Sequence, residues 1–170
     1  RKLNQGAAPR NSLRAAYIQA IQTTAGEVYR PQQASASLVR MDNAKHALHA
    51  ELDSSGPSLR QTAGSDSTHS AAFHLVRYGC EGTEAGAVQA SHPVARGQRV
   101  VYSRGDVTEW YHNGPLGVEQ GFDLRARPAC VGSGAIELEL DVQTDLKPVL
   151  VGSSDSPSMA KWMVIPKRGI

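Results

Sequence analysis

Long apolar runs are missing from this chain of 170 residues, and no stretch approaches the roughly 20 apolar residues that a membrane-crossing helix needs. A strong charge of one sign is missing too. The 18 Lys and Arg stand against 16 Asp and Glu, and a net charge of +2 is too small for the broad basic field of most nucleic-acid binders. Neither a membrane span nor a nucleic-acid partner is therefore expected. Cysteine is scarce, with two in the chain, no Cys-x-x-Cys pair and no His cluster at zinc-finger spacing, which argues against a structural metal site. No Gly-x-Ser-x-Gly elbow, His-Glu-x-x-His helix or phosphate-cradling glycine loop occurs. The expectation is a protein that is not an enzyme and needs no cofactor. The basic start, Arg1-Lys2-Leu3-Asn4-Gln5-Gly6, leads into no apolar stretch of the kind a signal peptide requires, so an exported form is expected to have lost that peptide already.

What is present is ordinary globular composition: 40% hydrophobic and 20% charged residues with 16 Gly and 9 Pro. A domain near this length buries roughly 70% of its unfolded surface and needs no metal or disulfide framework to fold. Cys80 and Cys130 have two readings. In an oxidising compartment they close a loop of about 51 residues, a constraint of about 4 kcal/mol in the chain-entropy model. In a reducing one they are two small apolar side chains.

Leu13, Ala16, Tyr17, Ala20 and Ile21 recur at the spacing of one helical stripe, predicting a helix from about Ser12 to Ala25 with Asn11 or Ser12 at its cap and Gly26 at its end. After it the period changes. Within His46 to Asp53, Leu48, Ala50 and Leu52 alternate with His49, Glu51 and Asp53, which predicts a half-buried strand that Ser55-Gly56-Pro57 ends in a turn. Ala71 to Tyr78 is a further strand, stopped by Gly79, and Cys80 to Gly97 reads as a long surface connection. Strands then follow at Gln98–Ser103, Val107–His112, Val118–Leu124 and Ala135–Val142; in the last, Ile136, Leu138, Leu140 and Val142 oppose Glu137, Glu139 and Asp141. The pattern predicts a mainly β fold, an antiparallel β-sandwich, jelly-roll-like or Ig-like, with one N-terminal α-helix. The expected divisions are an arm and helix over 1–26, the sandwich over 27–151, and a poorly packed tail over 152–170 in which Trp162 to Ile165 makes at most a short edge strand.

The run from Arg99 to Phe122 is distinctive. It contains Tyr102, Arg104-Gly105, Glu109-Trp110-Tyr111, Asn113-Gly114-Pro115-Leu116-Gly117 and Glu119-Gln120-Gly121-Phe122. It resembles a block in the N-terminal β-rich region of large bacterial FG-GAP (integrin-α-like) repeat proteins, strongly over 99–124 and more loosely over 14–151. The chain carries neither the Phe-Gly and Gly-Ala-Pro repeats nor the Asp-x-Asp-x-Asp-Gly calcium loops of the propeller in such proteins. The resemblance implies a secreted, cell-surface or envelope-associated β-rich module with a structural, assembly or adhesion role. A protein partner or self-assembly is expected with it.

The alternative is a carbohydrate-binding or carbohydrate-active domain, with a glycan as partner. Its candidate residues are Glu109, Trp110, Tyr111 and Glu119: aromatic rings that stack on sugars beside two carboxyls, which a glycosidase would hold about 5 to 10 Å apart. Alternation sets Val107, Glu109 and Tyr111 on one strand face and Thr108, Trp110 and His112 on the other, so the two aromatics form no common platform. The structural reading has Trp110 or Tyr111 filling the core, Glu109 bonding to a turn and Asn113 to Gly117 supplying turn chemistry. His46 and His49 read as solvated strand residues on opposite faces. Arg104-Gly105-Asp106 spells an adhesive tripeptide but more simply marks a hairpin, and the row Glu137, Glu139, Asp141 reads as a solvated face.

Overall fold

A period of two in the sequence becomes antiparallel sheet along most of the chain. A computed structural model describes residues 10–62, 69–80, 86–126, 128, 130, 136–150 and 162–165. Helix α1 (Arg10–Thr23) precedes β1 (Gln32–Ser35), β2 (Leu38–Asn43), β3 (Leu48–Asp53), β4 (Gly56–Gln61) and β5 (Ser70–Cys80). There follow β6 (Gly86–Ala87), β7 (Val94–Arg96), β8 (Arg99–Arg104), β9 (Val107–Gly114), β10 (Gly117–Leu124), β11 (Ile136–Thr144), β12 (Lys147–Leu150) and β13 (Trp162–Ile165).

The first sheet runs β1-β2-β3-β4-β5-β11, with β6 also on β5, and the second runs β10-β9-β8-β7. Their facing sides make one core. Val39 and Met41 of β2 and Ala50 and Leu52 of β3 meet Val100 and Tyr102 of β8 and Tyr111 of β9, with Leu59, Ala95 and Val118 packed around them. The protein is thus a mainly β antiparallel sandwich with one short helix, as the alternation predicts. Cys80 pairs with Ile136 across β5 and β11, so the chain that builds the second sheet leaves the first and returns to it at one level. Cys80 and Cys130 are joined there by a disulfide, with their Cα atoms 5.4 Å apart.

Several local expectations change. The helix lies two residues earlier than predicted and ends at Thr23, whose neighbour Thr24 bonds back to the Ile21 carbonyl, while Gly26 is extended at φ −72°. Its apolar stripe does not face the core: Leu13 and Tyr17 are 65% and 62% exposed, whereas Gln22 is 1% exposed. A polar anchor, described below, sets the helix's orientation in place of the stripe. Strands β1, β2 and β4 were not expected. Ser54 and Ser55 make the turn and Gly56-Pro57 already belongs to β4, opposite Asp53 and Leu52. Strand β5 continues through Gly79 because β11 pairs with it to Cys80. Strands β6 and β7 interrupt the predicted connection between Cys80 and Gly97. His46 lies in a short 3-10 turn rather than on a strand. Trp162 to Ile165 pairs with β12, and the rest of the expected tail lies outside the described residues.

Candidate functional site

Strand β9 carries the chemistry-bearing residues of the distinctive run, and the pleat separates them as the alternation requires. Glu109 and Tyr111 point inward, at 0% and 2% exposure. Glu109 accepts hydrogen bonds from Arg104 Nε at 2.8 Å, from Gln120 Nε2 at 3.1 Å and from the Tyr111 hydroxyl. Gln120 Nε2 also donates to the Tyr111 hydroxyl at 2.7 Å. Arg104 is enclosed as well, spans to the Gln89 carbonyl at 3.1 Å and lays its guanidinium 4.7 Å from the centre of the Tyr102 ring. Tyr102 and Tyr111 meet edge to face, with centroids 6.1 Å apart. Burial, reinforced by the Glu109 charge, holds both phenols far above their ordinary value, so Tyr111 stays protonated and remains a donor to Glu109. The Tyr102 hydroxyl has no partner among the described residues.

The arrangement is a closed polar unit inside the sandwich: a buried ion pair whose carboxylate is further satisfied by two neutral donors. Arg104, Glu109 and Tyr111 are buried in it, and Gln120 stands half-buried at its edge. Glu109 bonds not to a turn, as the sequence reading had it, but to Arg104 across the β8–β9 hairpin. The same ion pair removes Arg104, 6% exposed, from any adhesive use of Arg104-Gly105-Asp106.

The far end of β9 is a second polar junction. Asn113, fully buried, donates through Nδ2 to the carbonyls of Tyr29 at 3.0 Å and Asp42 at 2.8 Å, and accepts from Asn43 Nδ2 at 2.8 Å. Asn43 also reaches the Gly114 carbonyl at 2.9 Å. Gln22 at the end of α1 docks on the same turn, donating to the Gly117 carbonyl at 3.2 Å and accepting from the Leu116 N–H at 3.1 Å. Gln22 lies so close to Gly114 that a Cβ there would strike its side-chain amide. Asn113-Gly114-Pro115-Leu116-Gly117 therefore ties the helix, the β2–β3 corner and the second sheet together. Asn113→Ala leaves several buried partners unpaired and is expected to cost about 2–3 kcal/mol, read from the midpoint of urea unfolding.

On the outer face, Trp110 lies across Gly121, its cross-strand partner on β10, in the space that a side chain at 121 would occupy. The Arg99 guanidinium sits over the ring, 4.2 Å from its centre. Trp110 is half-buried, and its indole N–H has no partner among the described residues. His112 and Glu119 are cross-strand partners on this face, and Gln98 Oε1 stands 3.4 Å from His112 Nε2. Glu119 and Glu109 thus lie on opposite faces of one sheet and do not form a pair of carboxyls across a cleft. Burial, which the nearby Arg99 only partly offsets, holds Glu119 above its ordinary 4.5.

Burial first, then the Arg99 charge, holds the His112 imidazole below its ordinary 6.5. Below pH 6.5 the unfolded chain takes up the proton before the folded one, so stability is expected to fall as the pH drops towards the folded value. Glu119 acts in the opposite sense, its contribution being lost as the pH rises from 4.5 towards its folded value. His112→Gln should therefore flatten the profile of urea midpoint against pH just below 6.5. An unchanged slope would remove His112 from the account.

The remaining candidates are dispersed. His49 pairs with Asp42 at 2.7 Å, His46 approaches the Pro115 carbonyl at 2.9 Å, and Glu139 pairs with Arg77 while Glu137 and Asp141 are exposed. A shallow, open depression is lined by His49, Arg60, Gln61 and Thr62. Among the described residues no group of three His, Cys, Asp or Glu side chains is placed to hold a metal ion. Sequence reasoning missed Gln22, Asn43 and Gln120. Only Gln120 carried a signal, its place beside Gly121 in the distinctive run. No protein-family model, no curated protein and no solved structure matches the chain.

Proposed function

We propose that the chain is a non-catalytic β-sandwich module of a secreted or envelope-associated protein, with a structural, assembly or adhesion role. In this reading it corresponds to the N-terminal β-rich region of bacterial FG-GAP surface proteins. The observation that supports it best is the use made of the distinctive run: Arg104, Glu109, Tyr111, Asn113 and Gln120 bond to one another or to neighbouring backbone within the fold. A run this rich in polar and aromatic residues is then explained by folding, without a substrate. The Cys80–Cys130 disulfide favours an oxidising compartment. The carbohydrate reading has less support, because Glu109 is sealed, Glu119 lies on the other face and Arg99 occupies a face of the Trp110 ring.

Two measurements test the proposal. Protein taken from its native cells into a thiol-alkylating lysis buffer should carry no alkylated cysteine; modification of both Cys80 and Cys130 would place the chain in a reducing compartment and contradict it. A glycan microarray should retain none of the purified chain. Retention that Trp110→Ala abolishes at unchanged stability would put the carbohydrate reading in its place.

A further inference from the structure

Asparagine occurs at 4, 11, 43 and 113, and only Asn113 is followed by glycine. That pair has a chemistry of its own. Glycine puts no side chain in the way of its backbone nitrogen and frees the chain to bring that nitrogen onto the preceding side-chain amide, so asparagine is most labile in front of it. The fold nevertheless uses both residues. Asn113 gives its two amide hydrogens to the Tyr29 and Asp42 carbonyls and accepts from Asn43, while a Cβ at Gly114 would strike Gln22. Packing thus asks for a labile pair at this junction.

The folded state opposes the reaction of that pair in three ways. Attack by the Gly114 nitrogen on Asn113 Cγ requires the backbone to leave its extended form, and β9 holds it there through the Asn113–Val118 and Gly114–Gly117 pairings. The nitrogen that must leave, Nδ2, is held by two carbonyl acceptors at 3.0 Å and 2.8 Å. Asn113 also has 0% exposure, which keeps out the water that carries protons and hydrolyses the ring. Unfolding removes all three restraints together.

We propose that Asn113-Gly114 is a deamidation site sealed by the native fold, so that the chain records unfolding as an irreversible covalent change. Once the chain opens, the Gly114 nitrogen attacks Asn113 Cγ and passes its proton to water. The new N–C bond closes a succinimide as the Cγ–Nδ2 bond breaks, and Nδ2 takes up a proton and leaves as ammonia. Water then opens the ring at the side-chain carbonyl to give aspartate, or at the main-chain carbonyl to give isoaspartate. Neither product fits the junction. Aspartate at 113 sets an oxygen with no hydrogen to give against the Tyr29 and Asp42 carbonyls, in a site closed to water. Isoaspartate lengthens the main chain by one methylene inside the pairing of β9 with β10. A chain that has reacted does not return to the sandwich, which makes the time spent unfolded a limit on its lifetime. The inference stands on the junction alone and takes nothing from the module's location or partner.

The test incubates the purified full chain for several days at mildly alkaline pH, in buffer and across a series of guanidinium chloride concentrations. Peptide mapping by mass spectrometry reads the gain of one dalton at Asn113 and the share of isoaspartate. Deamidation at 113 should be at least about a hundredfold slower in buffer than in full denaturant, because only opened molecules react. Across the series its rate should rise along the unfolding curve read by circular dichroism. After the denaturant is diluted out, size exclusion should find the products at 113 only among chains that have not regained the native form. Asn113→Asp, which copies one product, should likewise fail to reach the wild-type urea midpoint. Equal rates in buffer and denaturant, or a rate that does not follow the unfolding curve, would overturn the proposal. So would products at 113 in the refolded fraction at their full share, or a wild-type midpoint for Asn113→Asp, because either would mean that the junction accepts the modified residue.

Discussion

Replacing Glu109 by alanine is expected to lower the unfolding free energy by about 3–5 kcal/mol, as breaking a buried ion pair from one side does. The substitution strands more than one group. Arg104, 6% exposed, keeps its charge without a counter-ion, while the Tyr111 hydroxyl and the Gln120 amide lose a shared acceptor. A pair on the surface would give a much smaller effect, since water screens it and replaces the lost partner. Glu109 has 0% exposure, so water reaches it only if the sandwich opens. Urea unfolding followed by circular dichroism reads the loss directly. A change below about 1 kcal/mol would mean that the unit is already wet or loosely held, as surface pairs are.

Removing the Cys80–Cys130 bond is expected to be of similar size. The bond closes a separation of 50 residues, and the chain-entropy model assigns such a loop about 4 kcal/mol. For a domain of this size that corresponds to a fall in melting temperature of about 8–16 °C. The position gives the loss a further structural meaning: the bond sits where the chain leaves the first sheet and returns to it, beside the Cys80–Ile136 pairing. Cys80→Ser, Cys130→Ser and the reduced wild-type protein should all melt lower by similar amounts. If reduction leaves the melting temperature where it was, the closed loop is not constraining the unfolded chain and the pairing of β5 with β11 alone holds the neck.

The parts of this fold that were legible in the sequence are those where one sheet face meets a core and the other meets water. The inner and outer faces of β9 separate Glu109 and Tyr111 from Trp110 for that reason, whereas in β11 the alternation is weaker: Ile136, Leu138 and Leu140 are only half-buried beside exposed Glu137, Glu139 and Asp141, and Val142, expected on the inward row, is 40% exposed. The elements that escaped have other causes. All four residues of β1 are exposed on an edge, so no apolar period marks the strand. Strand β4 opens with Gly56-Pro57, a pair that reads as a turn, but proline at a strand's first positions is compatible with pairing when its missing N–H is not needed. The orientation of α1 was unreadable because it depends on Gln22 fitting the Leu116 N–H and the Gly117 carbonyl, an amide-to-turn match that has no period.

The site shows the same division. That Trp110 and Tyr111 lie on opposite sides of a strand follows from counting residues. That Glu109 meets Arg104 depends on the β8–β9 hairpin register, in which Arg104 pairs with Val107 and Tyr102 with Glu109. The turn signal of Gly105-Asp106 marks the hairpin without saying that the arginine before it folds inward. Asn113 looked like turn chemistry, yet its partners Tyr29, Asp42 and Asn43 come from 70 or more residues earlier. Such long-range pairing is invisible to local pattern.

The claim at the centre of this account is that the distinctive run serves the fold through one enclosed polar unit. A double-mutant cycle on Arg104→Met and Glu109→Gln, read by urea unfolding, tests it most directly. Groups in contact within a buried network should couple, so the double variant is expected to be more stable than the sum of the single losses predicts by about 1–3 kcal/mol. Strictly additive losses would contradict the account, because they would mean that Arg104 and Glu109 do not depend on each other inside the sandwich.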